Sequence, residues 1–97
     1  MKKIRLRRAI ARILFAAQEQ GEVGLTVGSI RDRLMNLDTA GGTKFKQVPS
    51  GRQLGQIMKA TRGFIMKDVQ IIYDPEREGG RRLHLWVATS EVDTWMT

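Results

Sequence analysis

The chain has 97 residues, which is enough for one domain with a modest hydrophobic core. Its composition, 41% hydrophobic and 28% charged, is typical of a folded globular protein and argues against a wholly disordered chain. The 17 Lys and Arg residues outnumber 10 acidic ones, so the net charge of +7 favours polyanionic partners, either nucleic acid or an anionic membrane surface.

The sequence contains few of the residues and motifs that catalysis requires. It has no cysteine, which excludes disulfides and thiolate metal sites, and no zinc-ligand spacing is present. His84 is the only histidine, so we predict a packing or surface role for it, and Gly79-Gly80 lacks the Lys-Ser/Thr of a phosphate loop. We therefore expect no catalytic activity, cofactor, metal or small-molecule substrate.

The N-terminus begins with basic residues and continues into an apolar stretch, but it does not read as a secretion signal. Arg12 interrupts the apolar stretch, and Gln18-Glu19-Gln20 end it without a convincing cleavage site. No apolar run approaches the ~18 residues of a membrane span. We expect a single cytoplasmic domain over residues 1–97, associated with the nucleoid if the protein is prokaryotic.

A first helix is predicted from helical spacing of apolar residues, ending at Gly21. The stripe consists of Leu6, Ile10, Ile13, Leu14 and Ala17. Basic residues crowd its N-terminal part, where they oppose the helix dipole. They are Lys2, Lys3, Arg5, Arg8 and Arg12. Two interpretations of these basic residues stay open: they bind an anion, or they form a solvated helix face.

A second helix is predicted to begin at Thr26 or Ser29, either of which is a good N-cap. Its apolar face comprises Val27, Ile30, Leu34 and Leu37. Leu25, just before it, favours a very short strand. Residues 38–48, with Gly41-Gly42, are predicted as a loop that carries Lys44, Phe45 and Lys46.

A third helix is predicted over about residues 50–62, with Pro49 or Ser50 at its start and Gly63 at its end. One face is apolar, comprising Leu54, Ile57, Met58 and Thr61. At ~100° per residue, the opposite face holds Arg52, Gln56 and Lys59, with Gln53 beside them. Phe64 is expected to return the chain to the core.

The periodicity then changes to two, which predicts a β-hairpin over about residues 69–88. Apolar residues alternate along it at Val69, Ile71, Tyr73, Leu83, Leu85 and Val87. Pro75 and Gly79-Gly80 mark the turn. Trp86 is expected to pack in a core or interface rather than to stack on bases. In the tail, Ser90 is expected to cap a helical turn that carries Val92, Trp95 and Met96.

The order of elements is helix, short extended piece, helix, loop, helix and β-hairpin with a basic tip. Its most telling part is the run from Pro49 to Lys59, followed by Gly63-Phe64 and the hairpin. The chain thereby resembles the winged helix-turn-helix superfamily over nearly its whole length. The resemblance implies an α+β fold with a three-helix core and a C-terminal hairpin wing.

In that superfamily the third helix usually enters the major groove of DNA, and the wing touches the backbone or minor groove. Carried over to this chain, the resemblance implies a nucleic-acid site on the third helix, the loop before it and the wing. Its members are Lys44, Lys46, Ser50, Arg52, Gln53, Gln56, Lys59, Arg77, Arg81 and Arg82. Arg pairs with guanine and Gln with adenine, while Ser50 meets a phosphate at the helix start. Glu76 and Glu78 in the wing, and the long 38–48 connection, depart from the family pattern.

The expected function is therefore duplex-DNA binding by a small transcriptional regulator or chromatin-type protein. Two alternatives stay open. One is binding of structured RNA, as in a ribosomal or RNA-processing protein, although an aromatic content of 6% argues against single-strand stacking. The other is a protein-interaction winged helix in a larger complex, with Trp86, Trp95 and Met96 as contacts. A homodimer through the first helix or the tail is also left open.

Overall fold

The computed structural model describes residues 3–36, 48–71 and 81–96. Over these ranges the chain is α+β, as predicted, with helices and a two-stranded antiparallel sheet. The elements are α1 (Ile4–Glu19), α2 (Val27–Met35), α3 (Gly51–Lys59), β1 (Phe64–Ile71), β2 (Arg81–Ala88), a 3-10 turn (Ser90–Val92) and α4 (Asp93–Met96). No helix in the described ranges is both long and apolar enough to cross a membrane.

The helix α1 forms where apolar periodicity predicted it. All five residues of the predicted stripe are buried, and Ala11 is buried beside them. Gly21 ends the helical region with a φ of 86°, a left-handed conformation that favours glycine. The buried stripe packs against α2 and β2, while Arg5 and Arg12 are exposed and Arg7 and Arg8 are half-buried.

The helix α2 begins at the first of its two candidate caps. Thr26 has extended backbone, and its hydroxyl oxygen accepts a hydrogen bond from the Ser29 N–H at 3.1 Å. Ile30 and Leu34 are fully buried, and Val27 is half-buried against the core. The fourth predicted residue of this face, Leu37, lies outside the described residues.

The helix α3 is shorter than the predicted 50–62, since it runs from Gly51 to Lys59. Ser50 is its N-cap, and Ala60 closes it in a turn. The Thr61 hydroxyl donates to the Ile57 carbonyl oxygen at 2.6 Å, so Thr61 still packs inside although it is no longer helical. Gly63, with a φ of 100°, then turns the chain into β1.

The hairpin strands pair in antiparallel register, with Phe64 opposite Ala88 and Ile71 opposite Arg81. The first strand therefore starts five residues before the predicted Val69. On the other edge of β2, Leu25 pairs with Trp86 through two backbone hydrogen bonds of 3.0 and 2.7 Å. The predicted short strand at Leu25 is thus present as a single bridge, in the spatial order Leu25, β2, β1.

One side-chain amide continues this edge of β2. The Ala88 N–H donates to Gln18 Oε1 at 2.8 Å, and Gln18 Nε2 donates to the Ala88 carbonyl at 3.2 Å. Gln18 therefore satisfies both backbone groups of Ala88, as a neighbouring strand would, and ties α1 to the end of the sheet.

The C-terminal tail, residues 89–96, packs against the hydrophobic core. Its cap is Thr89 rather than the predicted Ser90, because the Thr89 hydroxyl accepts from the Glu91 N–H. Val92 is fully buried. The Trp95 ring packs edge-to-face on Phe64 at a centroid distance of 5.8 Å, and its Nε1 donates to the Arg62 carbonyl at 2.7 Å.

Candidate nucleic-acid interface

The outward face of α3 presents three long polar side chains. Arg52, Gln56 and Lys59 are all exposed, and they lie within about 60° of one another around the helix. Leu54 and Met58, on the opposite face, are completely buried. The predicted separation of a core face and a polar face is therefore confirmed for this helix.

The N-terminus of α3 carries a complete capping box. The Ser50 hydroxyl accepts from the Gln53 N–H at 3.3 Å, and Gln53 Oε1 accepts from the Ser50 N–H at 3.1 Å. The acceptor oxygen of Gln53 is therefore occupied by the backbone. A carbonyl oxygen has two lone pairs, so Gln53 still offers one acceptor position and its amide N–H groups to a ligand, with the amide held in place by the capping box.

Loss of this cap has a predictable cost. Ser50→Ala is expected to lower the free energy of unfolding by about 1 kcal/mol, because the first turn of α3 loses an acceptor for its free N–H groups. Ser50→Asp, whose carboxylate accepts the same hydrogen bond, should stay close to wild type. Urea denaturation measures both, and equal stability of the two variants would contradict the capping role.

The entry to α3 is held by α2. The guanidinium Nε of Arg31 donates to the Pro49 carbonyl at 3.0 Å, which fixes the chain just before the cap. At Gly51, an added Cβ would lie only 3.3 Å from Val27 Cγ1, so the first turns of α2 and α3 are in close contact. Since Leu54 and Met58 sit in the core, the orientation of the outward face is set by the whole domain.

The basic charge is concentrated in two stretches that contain no acidic residue. Residues 1–18 hold six Lys or Arg residues, and residues 39–67, which include α3, hold another six. In the second stretch the site prediction missed Arg62 and Lys67, both of which are exposed. A count of charges along the chain, rather than inspection of the helix alone, would have found them.

The predicted wing is less basic than its arginines suggest. Between residues 69 and 88, Arg77, Arg81 and Arg82 are matched in number by Asp74, Glu76 and Glu78. Arg77 lies outside the described residues, as do Lys44 and Lys46. Arg81 and Arg82 belong to β2, opposite Ile71 and Gln70, and their side chains lie outside what the structure describes.

The two tryptophan side chains pack within the domain. Trp86 is buried at 5% exposure, which confirms core packing and removes it as a stacking platform or a partner contact. Trp95 and Met96 are half-buried against the core. Of the alternative contact residues, only these two retain exposed surface.

His84, the single histidine, is exposed on β2 opposite Asp68. In the described ranges no group of three or more His, Cys, Asp or Glu side chains is arranged to hold a metal ion.

In comparisons with known proteins, no family model, curated protein or solved structure matches the chain. The interpretation of the α3 surface accordingly rests on its own residues.

Proposed function

We propose that this protein is a winged-helix domain that binds duplex DNA through the outward face of α3, as a small transcriptional regulator or chromatin-type protein. The observation that carries the proposal is the exposure of Arg52, Gln56 and Lys59 on one face of a capped helix whose other face is core. These are side chains that bond to base edges and phosphates in the major groove.

The topology supports this proposal. Helices α1, α2 and α3 precede a hairpin, and Leu25 adds a strand fragment on the far edge of β2. That order is what the winged-helix resemblance implies. The α3 helix also lies within the acid-free stretch, so no carboxylate close by in sequence repels a phosphate backbone.

Charge distribution favours α3 over the hairpin as the main contact. The hairpin residues 69–88 carry equal numbers of arginines and acidic residues, whereas residues 39–67 carry six cations and no acid. Duplex DNA is favoured over duplex RNA because the deep, narrow major groove of A-form RNA does not admit side chains of a helix.

Fluorescence anisotropy against labelled random duplex DNA, read from low to high salt, tests the proposal. If about four or five phosphates are neutralised, log K should fall against log salt with a slope near −4. Duplex RNA of the same sequence should bind more weakly. Absence of duplex-DNA binding at low salt, or stronger binding of RNA, would contradict the proposal.

A pair of charge-reversal variants separates a site from general basicity. Lys59→Glu changes the outward face of α3, whereas Arg12→Glu changes the exposed side of α1 by the same two charges. We expect Lys59→Glu to reduce both the affinity and the salt slope more strongly. Equal losses in the two variants would indicate attraction by overall charge without a binding face on α3.

A further inference from the structure

Gly55 lies in the middle of α3, at the border of the outward face. Within a helix, glycine is less stable than alanine because its backbone loses more freedom on folding. Neither the backbone nor the packing of the described residues calls for glycine here. Its φ is not positive, and apart from the backbone of its own helix no heavy atom of the described residues lies within 4 Å of an added Cβ.

Gly51 and Gly63 have reasons that Gly55 lacks. An added Cβ at Gly51 would press on Val27, and Gly63 is left-handed and faces Val92. The missing side chain at Gly55 leaves a notch in the helix surface. This notch lowers the stability of the helix and is not required by the packing of the core. A requirement for close approach by another molecule would account for it.

We propose that duplex DNA makes its closest approach to the α3 main chain at Gly55, which acts as a positioning residue for the interface. This inference rests on the proposed function. Arg52 precedes Gly55 by one turn and Lys59 follows it by one turn, so a cation flanks the notch on each side along the helix. A sugar–phosphate strand drawn to both cations crosses the bare surface between them, and any side chain there holds the helix away.

The proposal is tested by enlarging the side chain at residue 55. Gly55→Ala should raise the melting temperature by about 3–6 °C, because alanine favours helix and meets open space. Its affinity for duplex DNA should nevertheless fall about tenfold, the equivalent of one lost contact. Gly55→Leu should keep the gain in stability and lose more affinity, since its side chain is larger.

Gly28→Ala is the matched control. Gly28 is an exposed glycine in the first turn of α2, where an added Cβ would meet only Thr26 Oγ1, at 3.9 Å. This variant should be no less stable than wild type and should bind DNA as wild type does. An affinity loss at Gly28 equal to that at Gly55 would overturn the assignment of the notch.

The outcomes separate this inference from the proposed function. If wild type binds duplex DNA but Gly55→Ala and Gly55→Leu bind equally well, the close approach at Gly55 is wrong and the α3 interface stands. If wild type binds no duplex DNA, both proposals fail. Increased stability together with decreasing affinity from Gly to Ala to Leu supports the inference.

Discussion

Replacing Arg52 and Gln56 together with alanine is expected to lower the affinity for a selected DNA site by about 100-fold or more. Each side chain is placed to bond a base edge, and a good base contact contributes about 1–3 kcal/mol of discrimination. Both are exposed and outside the core, so folding should be preserved. The measurement is anisotropy on a site first selected from random duplexes with the wild-type protein.

The same double variant should lose only a few-fold affinity for random duplex DNA, because most phosphate contacts remain. Arg12→Ala with Gln20→Ala, at an exposed residue of α1 and at its exposed C-cap, removes the same charge and the same amide elsewhere. If this control loses as much affinity for the selected site, or if Arg52→Ala/Gln56→Ala binds it unchanged, α3 does not read the sequence.

Gly63→Ala is expected to lower the free energy of unfolding by about 3 kcal/mol. Gly63 has a φ of 100°, and a left-handed conformation costs a side-chain-bearing residue about 1–2 kcal/mol. An added Cβ would also lie 2.5 Å from Val92 Cγ1 and 2.6 Å from the Val92 backbone nitrogen. Because Val92 is fully buried, the strain of overpacking adds about 1–3 kcal/mol.

Gly21→Ala provides the comparison that isolates the steric part. Gly21 is also left-handed, with a φ of 86°, but among the described residues no heavy atom beyond its chain neighbours lies within 4 Å of an added Cβ. Its replacement should cost only the backbone strain of about 1–2 kcal/mol. Urea denaturation curves measure both, and equal midpoints would show that the tail does not pack on Gly63 as described.

The features that could be predicted from sequence were local ones. The α1 stripe, the Thr26 and Ser50 caps and the helix-ending Gly21 and Gly63 depend on residues within a turn or two of one another. The outward face of α3 follows from the same periodicity, since burial of Leu54 and Met58 dictates which residues face solvent.

The early start of β1 could not be predicted because Ile65 and Met66 are consecutive apolar residues and Lys67 and Asp68 consecutive charged ones. All four are exposed, so the strand has no alternation between a buried and a solvated face there. Its pairing with β2, beginning with Phe64 opposite Ala88, is what makes this segment a strand.

At the end of β2, more side chains are buried than the alternating pattern predicts. Trp86, Val87 and Ala88 are all buried, although alternation predicted only one buried face. The second face is covered because Gly24 passes over it, with an added Cβ only 3.2 Å from Val87 Cγ1. Such a contact between distant segments leaves no periodic trace in the sequence.

In the candidate site, too, some features could be predicted from the sequence and others could not. The exposed positions Arg52, Gln56 and Lys59 could be predicted, and Ser50 followed three residues later by Gln53 is the sequence signature of a capping box, which the site prediction did not use. The sequence leaves open whether the Gln53 side chain bonds to the backbone or to a ligand, and the extended backbone of Ser50 brings it to the backbone.

The amide of Gln18 and the backbone of Leu25 have a consequence for self-association. Together they occupy the outward N–H and C=O groups of Trp86 and Ala88, which a free strand edge would offer to another molecule. Intermolecular β-sheet growth is thereby blocked at this end of β2 by intramolecular groups. At this end of the sheet, the addition of a strand is thereby directed to the β1 side, where Lys67 and Asp68 place charges on the strand.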